Sequence, residues 1–173
     1  EETRERILAA AEDEFAPKGY DGARLRDVAL AAGVHHALLH HYYGDKEGLF
    51  RAVVERAFAA VSSRAFQLLQ NTADLRELTE VYVDTLVDFY AEHPNLVHIL
   101  HFASLDEGSP AYAACEDIAQ NMVLPLFEAT ADMVKAAQAS GVIRDDIDER
   151  RLVALCLGAA SYLFHEDNFF SMF

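Results

Sequence analysis

The stretch that decides the fold runs from Leu25 to Leu49, LRDVALAAGVHHALLHHYYGDKEGL. Leu25, Val28, Ala29 and Ala32 recur at helical spacing and predict a short helix. Gly33 is its expected stop, because glycine suits the left-handed position after a helix end. Val34 turns the chain, and Val34 to Tyr43 predict a second short helix. Two short helices about a glycine turn have helix-turn-helix spacing, with apolar residues on both fixing the crossing angle. Asp45 is placed to cap the helix that follows.

Outward from this stretch the periodicity stays helical. Ile7, Leu8, Ala11 and Phe15 mark one face of a first helix, closed by Pro17 and Gly19. Leu49, Phe50, Val53, Val54, Ala57, Phe58 and Val61 mark a long fourth helix running towards Leu68 and Leu69, with a break at residues 71–74. A fifth carries Leu75, Leu78, Tyr82, Leu86, Phe89 and Tyr90 and stops before Pro94. A sixth spans about Asn95 to Ser104, and residues 106–110 form a loop. A seventh runs to about Ser140, kinked or split by Pro125 and stopped by Gly141. Asp148 caps an eighth bearing Leu152, Leu155, Cys156, Ala159 and Leu163. No segment alternates with period two long enough to make a strand. The expected fold is all-α: an N-terminal three-helix helix-turn-helix domain, residues 1–50, joined through the long fourth helix to a C-terminal helical domain, residues 51–173.

The 173 residues suit one ordinary domain or two small helical ones sharing an interface. A hydrophobic content of 52% excludes a disordered acidic tail. A net charge of −15 argues against nucleic acid, because phosphate binding is driven by Lys and Arg. That charge is uneven. Residues 1–50 hold 6 Lys+Arg against 10 Asp+Glu, and residues 51–173 hold 8 against 19. Most of the acidity therefore lies outside the helix-turn-helix part. Cys115 and Cys156 lack any C-x-x-C spacing and read as two buried thiols of a reducing compartment. No apolar run approaches the ~20 residues of a membrane span, and the opening Glu1-Glu2-Thr3-Arg4 is no signal peptide. These features predict a cytoplasmic protein without a membrane partner. The absent initiator Met marks the start as not native.

The run from Phe15 to Phe50, FAPKGYDGARLRDVALAAGVHHALLHHYYGDKEGLF, resembles the N-terminal domain of TetR-family transcriptional repressors. Phe15, Gly19-Tyr20, Val28-Ala29, Ala32-Gly33-Val34, Leu39, Tyr42-Tyr43, Lys46-Glu47 and Leu49 carry the likeness. HPNLVHIL, PLFEAT, GVIRDDIDERRLVAL and a last helix with Gly158 resemble the family's C-terminal domain. The resemblance implies that the first three helices bind operator DNA, the third entering the major groove. It implies a homodimer reading a near-palindromic operator, with a C-terminal domain that dimerises and encloses a small-molecule effector. The effector would shift the fourth helix, spread the DNA-binding domains and release the operator.

Several positions depart from the family pattern. Thr or Ser usually opens the second helix, where this chain has Ala23 and Arg24. The pattern Val-Ser-x-Gly-Thr-Leu-Tyr becomes Val34-His35-His36-Ala37-Leu38-Leu39-His40. Leu38 cannot donate a hydrogen bond to phosphate. By the resemblance, Arg4, Arg24, Tyr42 and Lys46 hold phosphates, His35, His36 and His40 lie nearest base edges, and Leu38 meets a thymine methyl. His36 and His40, at i and i+4, also have the spacing of two metal ligands, although no carboxylate or Cys nearby completes a set. The alternative for the whole chain is a ligand- or partner-binding protein on the same fold whose DNA-reading helix has decayed.

For the effector site, Phe66, Tyr82, Leu86, Phe89, Tyr90, His98, Phe102, Met122, Leu126 and Tyr162 supply an aromatic-rich lining, which favours a hydrophobic or aromatic ligand. His98 and His101 could instead touch the DNA-binding helices. Asp84 and Asp88 share a helix face, either solvated or turned to a cationic ligand. There is no G-x-S-x-G, no Gly-rich phosphate loop and no H-E-x-x-H, so neither an enzyme nor a cofactor is expected. The family's long closing helices have little room after His165, which implies truncation, missing residues or abbreviated dimerisation. The apolar tail DNFFSMF is expected to pack on the last helix or a partner.

His35, His36, His40 and His41 generate one prediction. An ordinary imidazole titrates near ~6.5, so protonation adds positive charge to the reading helix below neutrality. In EDTA, operator affinity should rise from pH 8 to pH 6, and rise less in a variant with all four changed to Ala. Equal pH slopes in the two proteins would exclude the idea.

Overall fold

The computed structural model describes residues 1–71, 84, 85, 87–89 and 91–165, with the backbone alone for 60, 61, 64–66, 68–71 and 160–165. The described helices are α1 (Glu2–Gly22), α2 (Leu25–Ala31), α3 (His36–Tyr43), α4 (Lys46–Asn71), α5 (Pro94–Ser104), α6 (Pro110–Ile118), α7 (Leu124–Ala139) and α8 (Glu149–His165). A π-helical turn, Ala119–Val123, joins α6 to α7. Residues 84, 85, 87–89, 91 and 92 are also helical; the rest of the expected fifth helix, the break from residue 72 and the apolar tail lie outside the described residues. No strand occurs among the described residues, and the fold is all-α.

The chain forms two compact units. The first is Glu1–Ala57 with His93–Ile118, and the second is Phe58–Glu92 with Ala119–Phe173. Helices α5 and α6 thus belong with the helix-turn-helix, and α4 begins in the first unit and continues into the second.

In the first unit α1 buries Ile7, Leu8, Ala11, Phe15 and Ala16, the expected face. Helix α5 packs closely along α1 and buries Leu96, Val97, Ile99 and Ala103. Each such Leu, Ile or Phe contributes about 1.5–3 kcal/mol on burial. Leu49, Phe50, Val53, Val54 and Ala57 of α4 complete the core.

The end of α1 agrees with expectation at Gly19 and adds a short helical stretch beyond it. Helix continues beyond Pro17 to Gly22, interrupted at Gly19, whose φ of 66° and ψ of −178° are open only to glycine. This kink returns the Tyr20 ring onto Phe50, edge to face at 5.3 Å, and parallel to Phe15 at 6.3 Å. Phe15 meets Phe50 edge-on at 5.2 Å. A Cβ on Gly19 would lie 3.4 Å from Phe102 Cγ, an ordinary contact, so it is the backbone conformation that requires glycine here.

The helix-turn-helix closes as its residues predict. Gly33 has φ +65°, its N–H donates to Leu30 O at 3.1 Å, and the Val34 N–H donates to Ala29 O at 3.0 Å. These paired bonds satisfy the last carbonyls of α2. Helix α3 begins at His36 rather than Val34, because Val34 closes this turn and His35 is the extended N-cap. Asp45 caps α4 by accepting the Gly48 N–H at 2.8 Å. Polar links bind the unit further: Arg56 pairs with Glu12 at 2.6 Å and Glu5 at 3.2 Å, Arg51 pairs with Asp117, and Asn95 Nδ2 donates to Asp13 at 3.1 Å. Cys115 of α6 and Cys156 are half-buried free thiols; burial pushes the Cys115 thiol up to about 11.

In the second unit α7 packs on α8, burying Ala131, Ala137 and Val153. Pro125 lies in the first turn of α7, directly after the π-helical turn, so the expected interruption falls there. Asp148 accepts the Arg151 N–H at 2.9 Å, the expected cap of α8. Asp84 and Asp88 are exposed.

Gly48 gives the sharpest steric test. A Cβ there would sit 2.1 Å from the Tyr43 carbonyl oxygen. Helix propensity alone favours Ala over Gly by about 1 kcal/mol. Gly48→Ala should nonetheless lower the urea midpoint, by an amount comparable with the roughly 1–3 kcal/mol expected for Gly19→Ala. A Gly48→Ala protein more stable than the native one would overturn this reading of the α3–α4 corner.

Candidate nucleic-acid interface

Helix α3 has one buried anchor, Leu39, at 1% exposure. No other residue on it is buried. His35, His36, Ala37, His40 and His41 are exposed, and Leu38, Tyr42 and Tyr43 are half-buried. An eight-residue helix held by a single leucine depends on its caps and ends for orientation. Its C-terminal end is tied to α1: Tyr43 Oη donates to the Arg4 carbonyl at 3.4 Å, and the Arg4 guanidinium stands over the Tyr42 ring at 5.0 Å. These contacts place Arg4 and Tyr42 together beside α3. Burial holds the Tyr43 phenol above its usual pKa, so it stays a donor.

Lys46, in the first turn of α4, is already engaged. Its Nζ donates to Asp21 O at 3.1 Å and lies 4.8 Å from the centre of the Tyr20 ring. Burial, and then Glu47, Asp45 and Asp21, push the Tyr20 phenol upward, which marks an acidic neighbourhood around this lysine. Arg24 is the exposed N-cap of α2, and its N–H donates to Glu14 at 3.3 Å. Arg26, which the sequence reading passes over, has an 82% exposed side chain two residues along. Its only sequence signal is its place in the first turn of α2.

The histidines pair off. His36 and His40 stand edge to face, with ring centres 4.7 Å apart. His40 Nδ1 lies 2.6 Å from the Gly44 carbonyl oxygen. A carbonyl only accepts, so Nδ1 carries the hydrogen, and the neutral ring keeps a lone pair at Nε2. Neutral His40 therefore offers DNA an acceptor rather than a donor. His41 leans on Tyr42 at 5.4 Å. No group of three or more potential metal ligands occurs among the described residues.

The expected effector residues fall into separate places. His98, exposed, and Phe102, 41% exposed, line a 510 Å³ cleft of the first unit with Asp13, Ala16, Pro17 and Asn95. Those two residues thus face α1. Phe89 is buried in the second unit, 6.4 Å from Phe58, and Met122 and Leu126 are half-buried there. The side chains of Phe66 and Tyr162, and residues Tyr82, Leu86 and Tyr90, lie outside the described residues. No described helix is long and apolar enough to cross a membrane.

The His40 geometry is directly measurable. Long-range ¹H–¹⁵N spectra at pH 8 should find His40 in the Nδ1–H tautomer. Nε2–H as its main form would refute the bond to Gly44.

Comparison with known proteins agrees with this architecture. The family model for bacterial regulatory proteins of the tetR family matches residues 7–53, and that for the tetracyclin repressor-like C-terminal domain matches residues 75–173. The chain is 31% identical over 148 residues to the transcriptional repressor NicS of Pseudomonas putida, covering 84% of this chain and 68% of NicS. It is 27% identical to the transcriptional activator FasR of Mycolicibacterium smegmatis, over 96% of this chain and 74% of FasR. The structure of the TetR-family regulator PfmR from Thermus thermophilus superposes with a TM-score of 0.77 at 20% identity, covering 94% of this chain and 86% of PfmR. With a helix-turn-helix of this geometry and both domain models matched, the chain belongs to the TetR family of bacterial transcriptional regulators.

Proposed function

We propose that the protein is a homodimeric repressor that binds a near-palindromic operator and is released by a small hydrophobic or aromatic ligand. The observation that carries this reading is α3: a helix anchored by Leu39 that turns His36, His40 and His41 outward, with Arg4 set over its Tyr42 ring. Arg4, Arg24, Tyr42 and Lys46 hold phosphates, with His35, His36, His40 and Leu38 towards the bases. Residues 1–50 read DNA, and residues 51–173 dimerise and take the ligand. The naming of NicS as a repressor supports repression here, although the FasR activator belongs to the same set of relatives. Phe89, Met122 and Leu126, with Phe66, Tyr82, Leu86, Tyr90 and Tyr162, give the ligand site its apolar character.

The test is anisotropy with labelled palindromes from the chain's own upstream region, repeated across salt. Each phosphate contact steepens the plot of log affinity against log salt by about 0.9. Arg24→Ala should weaken binding and make the slope shallower by about that amount per protomer. A thermal-shift screen of aromatic and cationic compounds then identifies ligands that raise the midpoint and release DNA. An intact dimer with no specific binding at low salt would favour the alternative, a ligand or partner sensor with a decayed reading helix. Leu38 at the usual phosphate-contacting position and the acidic charge are what favour that second reading.

A further inference from the structure

We infer that His36 and His40 form a two-histidine site for a divalent d-block cation such as zinc on the DNA-facing side of α3, and that the bound ion strengthens DNA binding. Three observations meet there. Both rings are exposed on one helix face, with centres 4.7 Å apart. Two imidazoles held by one tetrahedral zinc at about 2.0–2.1 Å bring their centres to about 5 Å, close to this spacing, and the edge-to-face rings would rotate to aim a nitrogen each at the ion. The Gly44 carbonyl takes the Nδ1–H of His40 at 2.6 Å and leaves Nε2 as the lone pair. A backbone carbonyl holding the far N–H is how proteins orient a metal-binding histidine and fix its tautomer.

The same bond makes neutral His40 a poor partner for phosphate, since two acceptors do not bond. A cation resolves the mismatch. Imidazole nitrogens select zinc, copper or nickel over magnesium or calcium. Two protein ligands leave coordination positions for water, which a phosphate oxygen of DNA can replace. The ion would also bring positive charge to a helix without Lys or Arg, in a region where acids outnumber bases. The DNA half of this inference rests on the DNA-binding reading above; the metal half stands on α3 alone.

The experiment uses the full chain freed of metal with EDTA. Zinc chloride is titrated calorimetrically into the native protein and into His36→Ala, His40→Ala and His41→Ala. One ion per chain is expected, weakened about tenfold or more by either of the first two changes and unaltered by the third. Magnesium chloride should give no heat of binding. No saturable zinc binding, or zinc binding that survives His36→Ala and His40→Ala together, would overturn the site; ions held by His93, His98 and His101 would give that second result. Selected duplex DNA is then titrated with and without zinc. Zinc should tighten binding by the native chain and not by the His40→Ala variant. DNA binding in EDTA that zinc leaves unchanged overturns the role of the ion while the DNA-binding reading stands. No DNA binding by a folded dimer in either condition overturns that reading, and the ion's role with it.

Discussion

The backbone of Gly19 is the constraint on which the first unit depends. Its φ and ψ belong to a region that side chains exclude, so the chain turns there without leaving the helix run for good. That turn brings Tyr20 back over Phe15 and Phe50, joining the end of α1 to the beginning of α4. Phe102 of α5 packs against the same spot. Since α2 and α3 lie between α1 and α4 in the chain, one aromatic cluster sets the two ends from which the helix-turn-helix is hung.

Electrostatics then decides which basic residues remain for a polyanion. Lys18 pairs with Glu14, Arg56 with Glu5 and Glu12, and Arg51 with Asp117. The pairs of Arg56 and Arg51 join helices, and all of these pairs engage cations that an acidic chain has in short supply. Arg4 is placed differently: it is held by an aromatic face, which orients the guanidinium without neutralising its charge. Lys46 is held by a backbone carbonyl and Tyr20, which likewise leaves the charge in place. On the DNA-binding reading, the interface would work with a few oriented charges and with His40, whose Nδ1 is set by the Gly44 carbonyl.

The parts legible in the sequence are those governed by local chemistry. Gly33, Asp45 and Asp148 each satisfy backbone groups within a few residues of themselves, so residue type and spacing were enough. The buried faces of α1 and α4 followed from period alone. Pro17 and Gly19 marked where the first stretch of α1 ends; the short helical stretch that resumes after the Gly19 kink and runs to Gly22 had no such local signal. His98 and Phe102 show what period leaves open: a helix face does not say which neighbour it meets, and theirs lines a cleft with Asp13, Ala16 and Pro17 of α1.

Sequence by itself determined the all-α class, the helix-turn-helix and the family, because turn chemistry and hydrophobic period act over a handful of residues. Tertiary structure alone decided that α5 and α6 pack with the N-terminal helices, that Gly48 must clear the Tyr43 carbonyl, and that His40 points Nδ1 at Gly44. Packing between distant helices and the orientation of a ring are set by space and by the partner presented. Neither is written in the spacing of residues along one helix.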